Sequence, residues 1–156
     1  MLAATMRLPD EALERLLDTW PVARLATLGP DRTPHIVPIV FARVGPHLWS
    51  PIDGKPKSER ALARVTHLRD APRVSVLLDH YEDDWRRLWW IRVDGSACVV
   101  MPGDPEHHPE AGPATARLRS KYPQYATTPL FRGIPTLIRV RITGIRSWYP
   151  GPGPTS

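Results

Sequence analysis

Apolar and polar residues alternate with a period of two in the clearest strand-like stretches of this chain, and three other stretches switch to a helical period. Ala12, Leu13, Leu16 and Leu17 are spaced for one face of a short helix over 9–18. Pro9, Asp10 and Glu11 would stand in its first turn, where the helix dipole favours proline and acids. Residues 22–28 read as a strand, followed by the turn Gly29-Pro-Asp-Arg-Thr-Pro34. Residues 36–44 read as one strongly apolar strand, in which Pro38 marks an edge or a bulge. After Gly45-Pro46, residues 47–50 make a third strand. A helix from about residue 57 ends at Pro72, and 73–78 make a fourth strand. Residues 79–87 form a polar turn with Tyr81 and Trp85. The clearest strand spans 88–101, with Trp89, Ile91 and Val93 on one face and Trp90, Arg92 and Asp94 on the other. Asp94-Gly95 has the makings of a bulge in it. A loop rich in proline, acid and histidine covers 102–113, and a short helix 114–121. The last strand, 136–148, points Ile138, Val140 and Ile142 inward and Leu137, Arg139 and Arg141 outward.

Six strands with few helices predict a mainly β fold, an antiparallel barrel. No Gly-x-Gly-x-x-Gly joins a strand to a helix, which argues against a Rossmann unit. The length of 156 residues fits one domain over 1–149, with 150–156 as a disordered tail. A single cysteine, Cys98, excludes an intrachain disulfide, and its alternating surroundings make it a small buried residue. No apolar run reaches the length of a membrane span, and residues 1–7 lack the core of a secretory signal, so cytoplasmic residence is expected.

The formal charge of +5 and pI near 9.9 invite a nucleic-acid reading. No zinc-finger spacing, helix-turn-helix or aromatic RNA-binding signature supports it, and the surplus is local. Lys55, Lys57, Arg60, Arg64, Arg69 and Arg73 face only Glu59 and Asp70 in the same segment. On a helix, Lys57, Arg60, Arg64 and His67 share one stripe, beside an apolar stripe of Leu62, Val65 and Leu68. A basic stripe near the first turn of a helix suits a phosphorylated ligand, because the terminal N–H groups also point at the anion. The same pattern is equally that of a solvated charged face.

Other candidates carry less. There is no Gly-x-Ser-x-Gly elbow. His107-His108 lack the companions of a metal site. His80 and Tyr81 at a strand end are either proton donors or ordinary loop residues. Trp85, Trp89 and Trp90 fit core or interface packing better than cofactor stacking. The lack of a protein nucleophile fits an enzyme whose chemistry belongs to a bound redox cofactor.

Four segments carry a family resemblance: Ala23-Arg-Leu-Ala-Thr-Leu-Gly-Pro-Asp-Arg-Thr-Pro-His35, Val37-Pro-Ile-Val-Phe41, Leu48-Trp-Ser-Pro-Ile-Asp-Gly-Lys-Pro-Lys57 with Leu68-Arg-Asp-Ala-Pro-Arg-Val74, and Asp79 through Gly95. With Lys121-Tyr-Pro-Gln-Tyr125 they resemble the pyridoxamine-phosphate-oxidase-like split β-barrel superfamily. The likeness is to its deazaflavin (coenzyme F420) branch. The resemblance implies a six-stranded antiparallel split barrel of the FMN-binding type and a homodimer with cofactor sites at the interface; with the sequence features above, no nucleic-acid or membrane partner is expected. It implies hydride transfer between F420 and a small organic substrate. The alternatives are an FMN-dependent oxidase or reductase, or a non-catalytic carrier of F420, haem or another small ligand. Carried over, Val37, Pro38 and Ile39 would line the ring, and Ser50 and Pro51 would touch the ring or its side chain. Lys55, Lys57 and Arg64 would bind the phosphate, with Arg60 beside them. The chain departs from the family pattern at Arg32-Thr33, where a glycine is usual, and at Thr66-His67, where relatives often carry asparagine. The interval from Lys57 to Pro72 is longer than in the flavin oxidases.

Overall fold

A computed structural model describes residues 6–52, 59–101 and 108–151, and of 59–64 the backbone alone. Among these residues there are three α-helices and seven strands. The helices are α1 (Asp10–Thr19), α2 (Glu59–Asp70) and α3 (Ala111–Lys121). The strands are β1 (Ala23–Leu28), β2 (Pro34–Ile39), β3 (Ala42–Val44), β4 (His47–Pro51), β5 (Arg73–His80), β6 (Trp89–Val100) and β7 (Leu137–Trp148). The fold is mainly β and antiparallel, as expected, but it has seven strands and not six. The apolar run 36–44 is two strands, because the chain changes partners inside it.

That change of partners defines the architecture. All strands belong to one sheet in the order β2-β1-β5-β6-β7-β4-β3, so β2 and β3 are its opposite edges. Laid flat, the edges would be six strand spacings apart, about 29 Å. Yet only Val40 and Phe41 connect them, and Ile39 to Ala42 spans at most about 11 Å. The sheet must therefore curl until its edges nearly meet. They are not hydrogen-bonded to each other, which makes this a split barrel. Pro38, which cannot serve a ladder on both sides, lies on edge strand β2 opposite Arg24.

The seam is fastened from outside the sheet. The Tyr122 hydroxyl accepts from the Phe41 N–H at 3.0 Å and lies 2.8 Å from the Pro21 carbonyl and 3.1 Å from the Phe41 carbonyl, either of which can take its proton. Burial pushes this phenol up to about 12.

Two cores follow from the curl. Inside the barrel, Leu25, Phe41, Leu48, Val76, Leu78, Ile91, Val93 and Ile138 pack with Leu13 and Leu17 of α1 and Leu68 of α2. On the outward face of β4 and β7, Trp49 and Leu137 pack under Ala111, Ala114 and Leu118 of α3. Neighbours Leu48 and Trp49 are thus both buried, on opposite faces. The expected alternation holds for Ile138, Val140 and Ile142, which face the barrel core; outward-pointing Leu137 is buried by the second core. Arg43 of β3 ties α1 down through Asp18 (2.8 Å) and Glu14 (2.5 Å), and this ion pair holds the Asp18 carboxyl below its usual range.

The register does shift at Asp94-Gly95, but the bulge is in the partner strand: Asp94 pairs with Gly144 and Gly95 with Ile142, so the extra residue is Thr143 of β7 and not a residue of β6. In the β1–β2 turn, Asp31 and Arg32 take left-handed backbone angles (φ 57° and 60°), consistent with the glycine usual there in the resembling family.

Candidate functional site

A pocket of about 390 Å³ lies where the barrel is split. Pro38, Ile39 and Val40 enter it as β2 leaves the sheet, and Ser50 and Pro51 enter it from the last residues of β4. β4 is held there by pairing Ser50 with Ile138 and Pro51 with Leu137. The remaining wall is irregular chain after α3: Tyr125, Thr128, Pro129, Leu130 and Arg132. Tyr125 packs edge-on against Tyr122 at 6.1 Å, so this wall leans on the residue that fastens the seam. The walls are of two kinds. Pro38, Ile39, Pro51 and Leu130 are apolar, while Ser50, Thr128 and Arg132 carry donors.

The structure brings four of the sequence-derived ring residues together here: Pro38, Ile39, Ser50 and Pro51. Val37 does not join them: like Ile39 it packs on the barrel core, but it lines no part of the pocket. Lys55 and Lys57 lie outside the described residues, and of Arg60 and Arg64 only the backbone is described, in α2. The helix expected from about residue 57 is described from Glu59 to Asp70. His67, the last position on its basic stripe, sits against β2: its ring is 4.8 Å from that of His35. Both rings rest over Gly29, where an added Cβ would lie 2.5 Å from His35 Nε2.

The other candidates lie elsewhere. His80 hydrogen-bonds Glu82 at 2.5 Å and packs with Trp20 and Trp89 at another part of the barrel. Tyr81 and Trp85 are exposed. Trp89 meets Trp20 edge-on at 4.6 Å as core packing, and Trp90 is half-buried on the outward face beside Trp148. His107 is outside the described residues, and His108 lies 3.4 Å from Arg139. Among the described residues no cluster of three metal-ligating side chains occurs. No helix among them is long and apolar enough to cross a membrane.

Sequence reasoning missed the wall at 125–132. It has no periodicity to read, and the Lys121-Tyr-Pro-Gln-Tyr125 motif marks its start without assigning it a role. Lys121 stands just behind it. Its Nζ is buried without a hydrogen-bond partner, 3.5 Å above the Phe41 ring. Burial lowers its pKa to about 8, against the opposing pull of Asp18.

The family model for pyridoxamine 5'-phosphate oxidase matches residues 9–149. No curated protein matches the chain. Among solved structures, an FAD-binding protein of Mesorhizobium loti is 22% identical over 94% of this chain and 97% of its own, with a TM-score of 0.67. The haem storage protein HutZ of Vibrio cholerae is 16% identical over 90% and 94%, with a TM-score of 0.68. An F420 reductase is 20% identical over 85% and 94%, with a TM-score of 0.59. At these identities the likeness is one of fold.

Proposed function

The chain belongs to the pyridoxamine 5'-phosphate oxidase family, and from that premise we propose that it is an oxidoreductase that seats a deazaflavin ring, that of F420, in the pocket at the barrel seam. The observation that carries this is the convergence of Pro38, Ile39, Ser50 and Pro51 on that one pocket. About 390 Å³ is at the small end of cofactor sites and suits a ring system without its tail. A tail would follow the chain from Pro51 toward α2, where the resemblance puts Lys55, Lys57, Arg60 and Arg64. The bound deazaflavin would supply hydride transfer to a small organic substrate. The chain's part is to hold the ring flat between Pro38, Ile39 and Pro51, to offer Ser50, Thr128 and Arg132 to its polar edge or to the substrate, and to exclude water with the 125–132 wall. A cytoplasmic homodimer with the sites at its interface belongs to the same proposal.

The preference for F420 over FMN rests on the extent of the basic segment, which suits a phosphodiester with a carboxylate tail better than one phosphate. Titration with the two cofactors at matched ionic strength tests it: F420 should bind more tightly, and equal or tighter FMN binding would remove the preference. Lys57→Ala or Arg64→Ala should weaken F420 about tenfold to a hundredfold, the loss of one charge-assisted hydrogen bond of roughly 1.5–3 kcal/mol. Arg117→Ala on α3 is the control. Parent-like affinity in both variants would reduce the basic stripe to a solvated face. Tight F420 binding without turnover across a wide substrate panel would favour a ligand carrier.

A further inference from the structure

A second and larger concavity, about 780 Å³, opens on the outward face of the sheet where β1, β5, β6 and β7 run side by side. It shares no lining residue with the seam pocket. Pro34 marks its end of β2 and Pro38 the other, about 14 Å apart along the strand. Arg73 on β5 and Arg141 on β7 both pair in register with Ser96 of β6, so one serine lies between two arginines along the sheet. Their Cα atoms are two strand spacings apart, roughly 10 Å, within reach of side chains that converge on one anion.

The charge here is unbalanced. Two other arginines of this face have acids: Arg24 pairs with Asp79 and Arg92 with Asp94. Arg73 and Arg141 have no acidic partner among the described residues. Asp94, the acid that lines the groove, is already engaged by Ser75 at 2.7 Å and Arg92 at 3.2 Å. The bulge adds Thr143, whose hydroxyl donates to the Asp94 carbonyl at 3.0 Å and fixes the groove's edge. Leu28, Pro34 and Pro72 add apolar surface to its lining. Two unopposed cations with a serine between them, beside apolar surface, make a receptor for a small organic oxyanion.

We propose that this groove binds such an anion, a phosphate monoester or carboxylate with a compact apolar body, independently of the seam pocket. Calorimetric titration of the full-length protein with phenyl phosphate and, separately, benzoate tests it, with ionic strength held constant. The expected result is saturable binding of one phenyl phosphate per chain, weakened at least fivefold by Arg73→Gln or Arg141→Gln and abolished by both. Arg146→Gln, on the same face but outside the groove, should bind like the parent, as should Lys57→Ala and Arg64→Ala. The benzoate arm tells carboxylate from phosphate recognition. Side-chain Nε–H resonances of Arg73 and Arg141 should shift in the parent, which covers any variant that folds poorly. Absence of saturable binding, or binding lost with Lys57→Ala but kept in the Arg73→Gln, Arg141→Gln double variant, would overturn the proposal.

Discussion

Gly95→Ala should measurably weaken the barrel, while Gly144→Ala, at the same bulge, should not. Gly95 sits in β6 between Val74 of β5 and Ile142 of β7. A Cβ there would stand 2.4 Å from the Arg141 carbonyl oxygen and 2.7 Å from Val140 Cγ1. The first obstacle is backbone of a paired strand, which cannot swing aside as a side chain can. Restoring an ordinary contact needs a displacement of about 1 Å between β6 and β7, and overpacking of this kind costs about 1–3 kcal/mol. The restricted unfolded chain returns about 0.4–1 kcal/mol. The net loss is about 1–2 kcal/mol, or a fall in Tm of roughly 2–8 °C for a chain of this length. At Gly144, across from Asp94, an added Cβ meets nothing within 4 Å. That substitution should stay within about 0.5 kcal/mol of the parent. Urea unfolding with matched m-values measures both. Parent-like stability in Gly95→Ala, or an equal loss in Gly144→Ala, would refute the steric reasoning.

Tyr122→Phe strands the buried Phe41 N–H and should cost about 1–3 kcal/mol in the same assay; no loss would mean that the hydroxyl does not fasten the seam. Lys121→Met should stabilise the protein at pH 7. The folded state binds fewer protons than the unfolded chain between about pH 8 and the ordinary lysine value of 10.5, so Lys121 lowers stability below pH 8 and that penalty fades as pH rises through this window. Discounted for partial solvent exposure and for attraction to the Phe41 ring, the gain is about 1 kcal/mol, and the parent's rise in stability above pH 8 should flatten in the variant. Arg32→Gly relieves a left-handed arginine and should raise stability by up to about 1 kcal/mol by thermal denaturation; destabilisation would show that the arginine has a contact worth more than its strain.

Much of the fold is legible in the sequence because the barrel interior imposes a period of two. Ile138, Val140, Ile91 and Val93 announce their side of the sheet, and Asp94-Gly95 marks where the register shifts, although the extra residue is Thr143 of β7. The second core is not legible, because Trp49 and Leu137 occupy positions that alternation gives to solvent. Only α3, from a distant part of the chain, makes those positions interior. The division of 36–44 into two strands is hidden for a similar reason. Nothing in Val37-Pro-Ile-Val-Phe41 signals a break, since the break is held by a hydroxyl 81 residues further on. Of the candidate site, the part borne by strand ends was readable through the family resemblance, and Pro38, Ile39, Ser50 and Pro51 do converge. The part borne by 125–132 was not, since irregular chain has no periodicity and takes its place from tertiary contacts such as Tyr122 against Tyr125.

The location of the pocket follows from the same topology. A fully closed barrel of this size fills its interior with side chains and leaves a ligand no room among its strands. Because the two edges, β2 and β3, do not pair, Pro38–Ile39 at the end of β2 and Ser50–Pro51 at the end of β4 border an opening while their ladders to β1 and β7 stay intact. The seam pocket then lies between two paired strand ends. The split would leave the Phe41 backbone without strand partners in a fully buried position, a cost the Tyr122 hydroxyl removes by meeting its N–H and approaching its C=O. Tyr122 in turn places Tyr125 on the pocket wall. One side chain therefore closes the fold where the sheet cannot and supports the site that the opening creates.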